Sequence, residues 1–187
     1  MKEFYDEEII NAELEKLDSK EFEAYIFRDC SWPYQKLDHY KFTDCTFINC
    51  DLSNISVVQT LFNDATFETC KMLGVKFMHT KKTMLSLSFK ACNLQYVDFF
   101  EMDIAKTRFL ESDLSEASFE GSNASECDFS GSNLYKTSFL ETDLSKANFY
   151  SAENFEIDPS KNNIKNAIFK EENLKGILVQ TVIKIKP

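Results

Sequence analysis

From Phe22 onward, bulky apolar residues fall on every fifth position of the chain, as in Phe129, Leu134, Phe139, Leu144 and Phe149. A period of five suits neither regular element. In a helix, at about 100° per residue, five steps leave successive apolar side chains about 140° apart; in a strand, an odd step sends them to alternating faces. A chain that turns a corner every five residues buries them all, because each fifth side chain then points to one central axis. Four such sides close a square, which predicts a second period of about 20 residues.

The second period is present. The phase runs from Phe22 to Phe77, gains two residues at the segment MHTKKT (78–83), and continues from Met84 to Val179. Of the 32 positions so marked, 30 are apolar, Asn154 and Pro159 being the exceptions, in a chain that is only 43% hydrophobic. Sorted by side, they form four columns. The first reads Phe27, Phe47, Phe67, Phe89, Phe109, Phe129, Phe149 and Phe169; the second begins at Trp32 and continues mainly as leucine. The third holds Phe77, Phe99, Phe119 and Phe139, and the fourth, the most irregular, runs from Phe22 through Met84 to Ile164. Identical side chains repeating at this spacing predict a solenoid whose turns contact only their neighbours.

The position two residues before each bulky one lies at the crowded middle of a side and is expected to be small. All six cysteines, Cys30, Cys45, Cys50, Cys70, Cys92 and Cys127, occupy it, which makes them small buried hydrophobes rather than ligands or nucleophiles. The four glycines sit two residues after a bulky one, at the corner, where a turn favours positive φ. The expected fold is therefore all-β: a parallel β-helix of about eight coils spanning residues 22–179, with a small break at 78–83. Residues 1–21 are read as an N-terminal cap, with Ile10, Leu14 and Leu17 at helix-like spacing, and residues 180–187 as a C-terminal cap.

The segments SNLYK, TDLSK and ANFYS fit the motif Ala-(Asp/Asn)-Leu-x-x, and on them the chain resembles the pentapeptide repeat family. That resemblance implies a right-handed quadrilateral parallel β-helix. Within the family, CTFINCDLS and NFEIDPSKNNIKNAIF are most similar to the Qnr-type and microcin-immunity proteins that bind DNA gyrase or topoisomerase IV. The resemblance implies a non-enzymatic DNA mimic that binds a type II topoisomerase and protects it from, or modulates its response to, a poison such as a quinolone or microcin. The alternative is a scaffold or adaptor for an unrelated protein. By the same resemblance Ile177, Leu178, Val182 and Ile183 would form a homodimer seam at the C-terminal end, the alternative being a simple monomeric cap. Several Qnr relatives project sizeable loops, whereas the break here adds two residues, which turns the expectation away from quinolone protection and toward toxin or microcin immunity or a quite different partner.

Charge locates the candidate face. The formal net charge of -10 disfavours nucleic acid or an anionic membrane as partner and favours a basic protein surface. The excess is regional: residues 84–155 carry 5 basic and 12 acidic side chains. Within them, the side built on Phe99, Phe119 and Phe139 bears Asp98, Glu101, Glu120 and Glu141 without an intervening Lys or Arg, and its outward Phe100 and Leu140 are candidate apolar anchors. These six are the expected partner-binding residues; the alternative is an acidic surface that keeps the rod soluble. The stretch would set seven excess acids against about ten phosphates of duplex DNA over roughly 17 Å.

Other chemistry is thinly represented. No CxxC pair occurs, and His39 and His79, two turns apart, would lie roughly 10 Å from each other, too far to share a metal. Neither a Gly-rich phosphate loop nor a nucleophile with a placed base is apparent, so no enzyme, cofactor or metal site is expected. The N-terminus is too acidic for a signal peptide and no apolar run approaches the ~20 residues of a membrane span, which leads to a cytoplasmic assignment.

Overall fold

The computed structural model describes residues 7–178. They form a parallel β-solenoid of about eight turns. The strands Glu7–Ile10, Tyr25–Arg28, Thr46–Ile48, Ala65–Glu68, Leu87–Lys90 and Arg108–Leu110 stack in that order as a six-stranded parallel sheet. Its register sets Phe27 beside Phe47, Phe67, Phe89 and Phe109 in turn. A three-stranded sheet of Glu21–Glu23, Lys41–Thr43 and Leu61–Asn63 lies on the fourth side, and a short pair, Asn148–Phe149 and Ile168–Phe169, continues the first. Elsewhere the ladder is kept by single parallel bridges such as Asp98 to Ser118 to Ser138.

The axis is filled as the period predicts. Phe89, Phe109 and Phe129 stack with ring centroids 5.3 Å apart at each step and planes within 8°, and the whole first column is stacked from Phe27 to Phe169. A second pile meets it edge-on. In the N-terminal coils this pile is Phe22, Phe42 and Phe62 of the fourth side; from the third coil onward it is Phe77, Phe99, Phe119 and Phe139 of the third. The exchange occurs where Phe62 and Phe77 meet at 6.2 Å. Each edge-to-face pair adds about 0.5–1.5 kcal/mol beyond area burial.

Corners are built from the left-handed region, and mostly without glycine. The residue two past each inward one has positive φ at every side from Ala24 to Gly74 and again from Ala91 to Lys146. Its N–H points along the rod and donates to the next coil, as Asp29 does to Ile48 at 3.0 Å and His39 to Val58 at 2.9 Å. Gly74, Gly121 and Gly131 fit this rule, with φ of 66°, 66° and 72°. Gly176 does not. It lies in the short helix Lys175–Leu178, and a Cβ there would come within 2.3 Å of the Phe155 carbonyl; close approach, not φ, requires it.

Aspartate and asparagine just before the inward residue complete the corner. Asp98, Asp103, Asp113, Asp128 and Asp143 each accept the backbone N–H two residues on. One coil along, an asparagine stacks on the aspartate and donates its amide to it: Asn123 to Asp103, Asn133 to Asp113, Asn148 to Asp128 and Asn163 to Asp143. Alternating the two residues places a neutral donor between carboxylates that would otherwise repel one another at the ~4.8 Å strand spacing.

The small inward positions also have a polar task. Cys50, Cys70 and Cys92 direct Sγ to the carbonyls of Phe27, Phe47 and Phe67 on the preceding coil, and Ser132, Thr137 and Thr142 do the same with hydroxyls. Burial pushes the Cys45 thiol up to about 11 and raises that of Cys127 further. All six cysteines are buried and free, as expected of packing residues.

Four phase expectations are corrected. Lys81 still pairs with the Thr60 carbonyl on a 20-residue register, whereas Ser86 bonds Ala65 on the shifted one, so the two extra residues lie within 82–85. Met84 is consequently 63% exposed instead of inward, and Leu85 packs on the core in its place. At the other end Asn154 turns outward to donate to Asn133 Oδ1 at 2.7 Å, and its neighbour Phe155 fills the axis. Leu174, also expected inward, is 40% exposed.

Described residues lie over part of each end, whereas the expected C-terminal cap, 180–187, lies outside the described residues. Glu7–Ile10 adds a strand to the first sheet with Ile9 over Phe27, so Ile9 packs inward and Ile10 is exposed. Leu14, in a single 3-10 turn, is buried beneath this segment, and the Trp32 indole donates to the Ala12 carbonyl at 2.8 Å. At the far end Ile157 N–H donates to the Gly176 carbonyl, seating the last helix against the axis.

Two stability effects follow. Thr69 is β-branched yet holds φ of 52°; Thr69→Asn is expected to gain about 1 kcal/mol, read as a raised melting temperature. Ser122 Oγ is buried without a partner while Ser132 Oγ donates at 2.6 Å, so Ser122→Ala should be neutral or stabilising and Ser132→Ala should cost about 1 kcal/mol; equal losses in denaturant titrations would contradict this.

Candidate functional site

The third side is the candidate. Asp98, Phe100 and Glu101 belong to one coil, Ser118, Glu120 and Gly121 to the next, and Ser138, Leu140 and Glu141 to the third, in ladder register through Asp98, Ser118 and Ser138. Phe100 and Leu140 are 37% and 42% exposed. Glu101 and Glu141 project from left-handed corners with φ of 51° and 55°, and Gly121 lies between them. A Cβ on Gly121 would sit 3.2 Å from Glu101 Cγ, so the glycine gives the neighbouring carboxylate side chain room.

The acids of this face are unequal. Asp98 is occupied by the corner, accepting the Phe100 N–H at 2.9 Å. Glu120 accepts a 2.7 Å bond from Ser138 Oγ, which fixes it between Phe100 and Leu140. Glu101 and Glu141 are exposed and make no ion pair among the described residues. All five aspartates of residues 84–155 build corners, so the glutamates carry the charge that is available to a partner.

Exposed apolar residues select the same side independently. Setting aside tyrosines, the two ends and the break, the large hydrophobics exposed among the described residues are Val58, Phe100 and Leu140. All three occupy the outward position next to an inward residue of the third column. Sequence reasoning picked out Phe100 and Leu140 but not Val58, although the 20-residue register places it in line. A cationic border adjoins this face: Lys76 lies one coil before Asp98 in the backbone ladder, and Lys82 of the break donates to the Glu101 carbonyl at 2.9 Å.

The C-terminal residues divide differently. Ile177 is partly buried and packs on the core cluster, and Leu178 is partly buried; Val182 and Ile183 lie outside the described residues. His39 and His79 are both exposed and on separate coils. No group of three or more His, Cys, Asp or Glu able to hold a metal occurs among the described residues, and no helix there is long and apolar enough to cross a membrane.

Profiles of the pentapeptide repeat region and of eight pentapeptide repeats match residues 40–119 and 112–149, together more than half of the molecule. The chain belongs to the pentapeptide repeat family. Among solved pentapeptide repeat structures, a trypsin-treated variant of QnrB1, a plasmid-mediated fluoroquinolone resistance protein, has a TM-score of 0.67 at 15% identity, covering 97% of this chain and 98% of its own. A second trypsin-treated QnrB1 variant has a TM-score of 0.65 at 14% identity, with 98% and 100% covered. HetL, a pentapeptide repeat protein involved in heterocyst differentiation regulation in the cyanobacterium Nostoc, has a TM-score of 0.42 at 14% identity, with 82% and 89% covered. No curated protein matches by sequence. At these identities the likeness is one of fold.

The corner chemistry predicts a pH response. Burial pushes the Asp113 carboxyl up, but hydrogen bonds from Ser115, Gln95 and Asn133 outweigh it and hold the carboxyl below its usual value. A depressed carboxylate contributes stability that is complete above its unfolded pKa of ~3.9 and is lost as pH falls through the folded value. Asp113→Asn keeps an acceptor for the corner and loses the charge. Its melting temperature should lie below wild type at pH 7, with the gap narrowing on acidification toward pH 3; a constant gap would refute the assignment.

Proposed function

We propose that this protein is a non-enzymatic binding protein whose third side engages a type II topoisomerase, DNA gyrase or topoisomerase IV, at its basic DNA-binding groove. Binding there protects the enzyme from, or modulates its response to, a poison such as a quinolone or microcin. The observation that carries this reading is the coincidence, on one side of the rod, of Glu101, Glu120 and Glu141 with exposed Phe100 and Leu140. The fold likeness to QnrB1, a fluoroquinolone resistance protein, supports the choice of enzyme.

In this reading the glutamates steer and orient, and the two apolar side chains supply affinity, since exposed charges are screened while buried anchors are not. A scaffold or adaptor role for another protein is the second reading. It is favoured by the commitment of all five aspartates to corners, which thins the resemblance to a phosphate lattice.

The test is binding to purified gyrase and topoisomerase IV, with supercoiling or decatenation measured with and without poison. Phe100→Ser with Leu140→Ser should weaken binding by tenfold or more, at about 1–2 kcal/mol for each anchor. Glu101→Gln, Glu120→Gln and Glu141→Gln together should slow association and flatten its salt dependence. No binding at micromolar protein would discard the topoisomerase in favour of the adaptor, and full affinity in both variants would discard the face.

A further inference from the structure

Both histidines of the chain lie in the same motif, Lys-x-x-His-x-Lys, which occurs at 36–41 and again at 76–81. The interval is two coils, so Lys36 and Lys76, His39 and His79, and Lys41 and Lys81 share columns, about 9.6 Å apart along the rod. The ladder keeps this register: Lys41 pairs with Leu61, His39 N–H donates to the Val58 carbonyl and Gln59 N–H to the His79 carbonyl. Lys81 N–H still donates to the Thr60 carbonyl, so the second motif is complete before the two extra residues enter. Between the motifs the same three columns hold Ser56, Gln59 and Leu61, all uncharged. Two cationic bars thus flank a neutral coil at the corner of the third and fourth sides.

On the fourth side this coil opens as a cleft of about 280 Å³, lined by His39, Lys41, Gln59, Leu61 and Lys81. Its floor is Leu61, only 7% exposed although it occupies an outward position. The positive charge around it is not cancelled. Glu21 pairs with Lys41 at 2.5 Å, and Asp38 is turned to Ser56 Oγ and the Val58 N–H. Lys36, Lys76 and Lys81 are exposed and make no ion pair among the described residues. Lys20 adds an ammonium at the same corner, 5.1 Å from the Tyr40 ring centroid. A second cleft, of about 320 Å³, lies on the third side and is bordered by Ser56, Lys76 and His79.

Lysine binds phosphate as a point charge. Ammonium groups on stems about 9.6 Å apart, each roughly 2.8 Å from its acceptor, leave about 4 Å between acceptor oxygens; one phosphate group fits once the flexible stems lean inward. The His39 imidazole and the Gln59 amide border the same space as donors. Several uncancelled lysines call for more negative charge than one phosphate supplies. The lining holds no Phe, Tyr or Trp on which a base could stack. We propose that the cleft between the two motifs binds a linear oligophosphate, one phosphate between Lys41 and Lys81 and the rest of the chain along the corner toward His79 and Lys76. The net charge of -10 belongs to the whole chain, whereas screening over about 8 Å at physiological salt lets local charge decide for so small a ligand. This site is independent of the acidic face and of the topoisomerase reading.

Calorimetric titration of the full chain at neutral pH and low salt, without magnesium, provides the test, with orthophosphate, inorganic triphosphate, ATP and a short DNA duplex as separate probes. Triphosphate is expected to bind with a dissociation constant on the order of 0.1–1 mM, about tenfold tighter than orthophosphate, and to weaken as salt rises. ATP should bind no tighter than triphosphate, because its adenosine gains no contact. Lys41→Gln with Lys81→Gln should weaken triphosphate by about tenfold, with unchanged circular dichroism, whereas Lys136→Gln with Lys165→Gln, on distant coils, should leave it as it is. Absence of binding at millimolar triphosphate, equal affinity for orthophosphate, or equal losses in the two lysine pairs would each overturn the proposal. ATP binding far more tightly would replace it with a nucleotide site, and a duplex that outbinds triphosphate through the same lysines would replace it with a nucleic-acid surface.

Discussion

The structure depends on a match between two spacings. Parallel backbone ladders set successive coils about 4.8 Å apart, and the phenylalanines of the first column stack at 4.8 to 5.3 Å with planes nearly parallel. Aromatic rings tolerate that separation when offset, so hydrogen bonding and core packing impose the same pitch. Once the pitch is fixed, every outward position lies in register with its counterpart one coil away. Surface chemistry on this rod is therefore a matter of columns, whether of acids, amides or apolar side chains.

That arithmetic explains what could be read from the sequence. Phe27 through Phe169 repeat at a constant step, and the step alone gave the column, the corner positions and the packing role of the cysteines. Where the step fails, local chemistry decides. Ile9 covers Phe27 from 18 residues upstream, outside the five-residue phase, because the first strand enters without completing a coil. Asn154 occupies an inward position in the count, but its amide gains a partner only by turning out to Asn133. Met84 stands one residue before the side chain that packs, since two residues had to be absorbed somewhere between Lys81 and Ser86.

The candidate face was legible in its charges and less so in their availability. Aspartate and glutamate count equally in a sum, yet on this scaffold the five aspartates of residues 84–155 are fastened to backbone N–H groups and four of them lie beneath asparagines. Only side-chain geometry separates charge that holds a corner from charge that meets a partner. Val58 and Lys82 were equally hidden, one because it lies outside the acidic segment and the other because the break brings it to Glu101.

The exchange of aromatic partners at Phe62 and Phe77 has a mechanical consequence. On either side of it, stacked rings and their edge-on neighbours form an unbroken lattice; at it, the flanking pile passes from one wall of the square to another, and the fourth-side sheet ends. In a linear array, cooperativity is carried from neighbour to neighbour. The third coil is thus the place where the first column alone carries parallel ring stacking straight through from one half of the rod to the other.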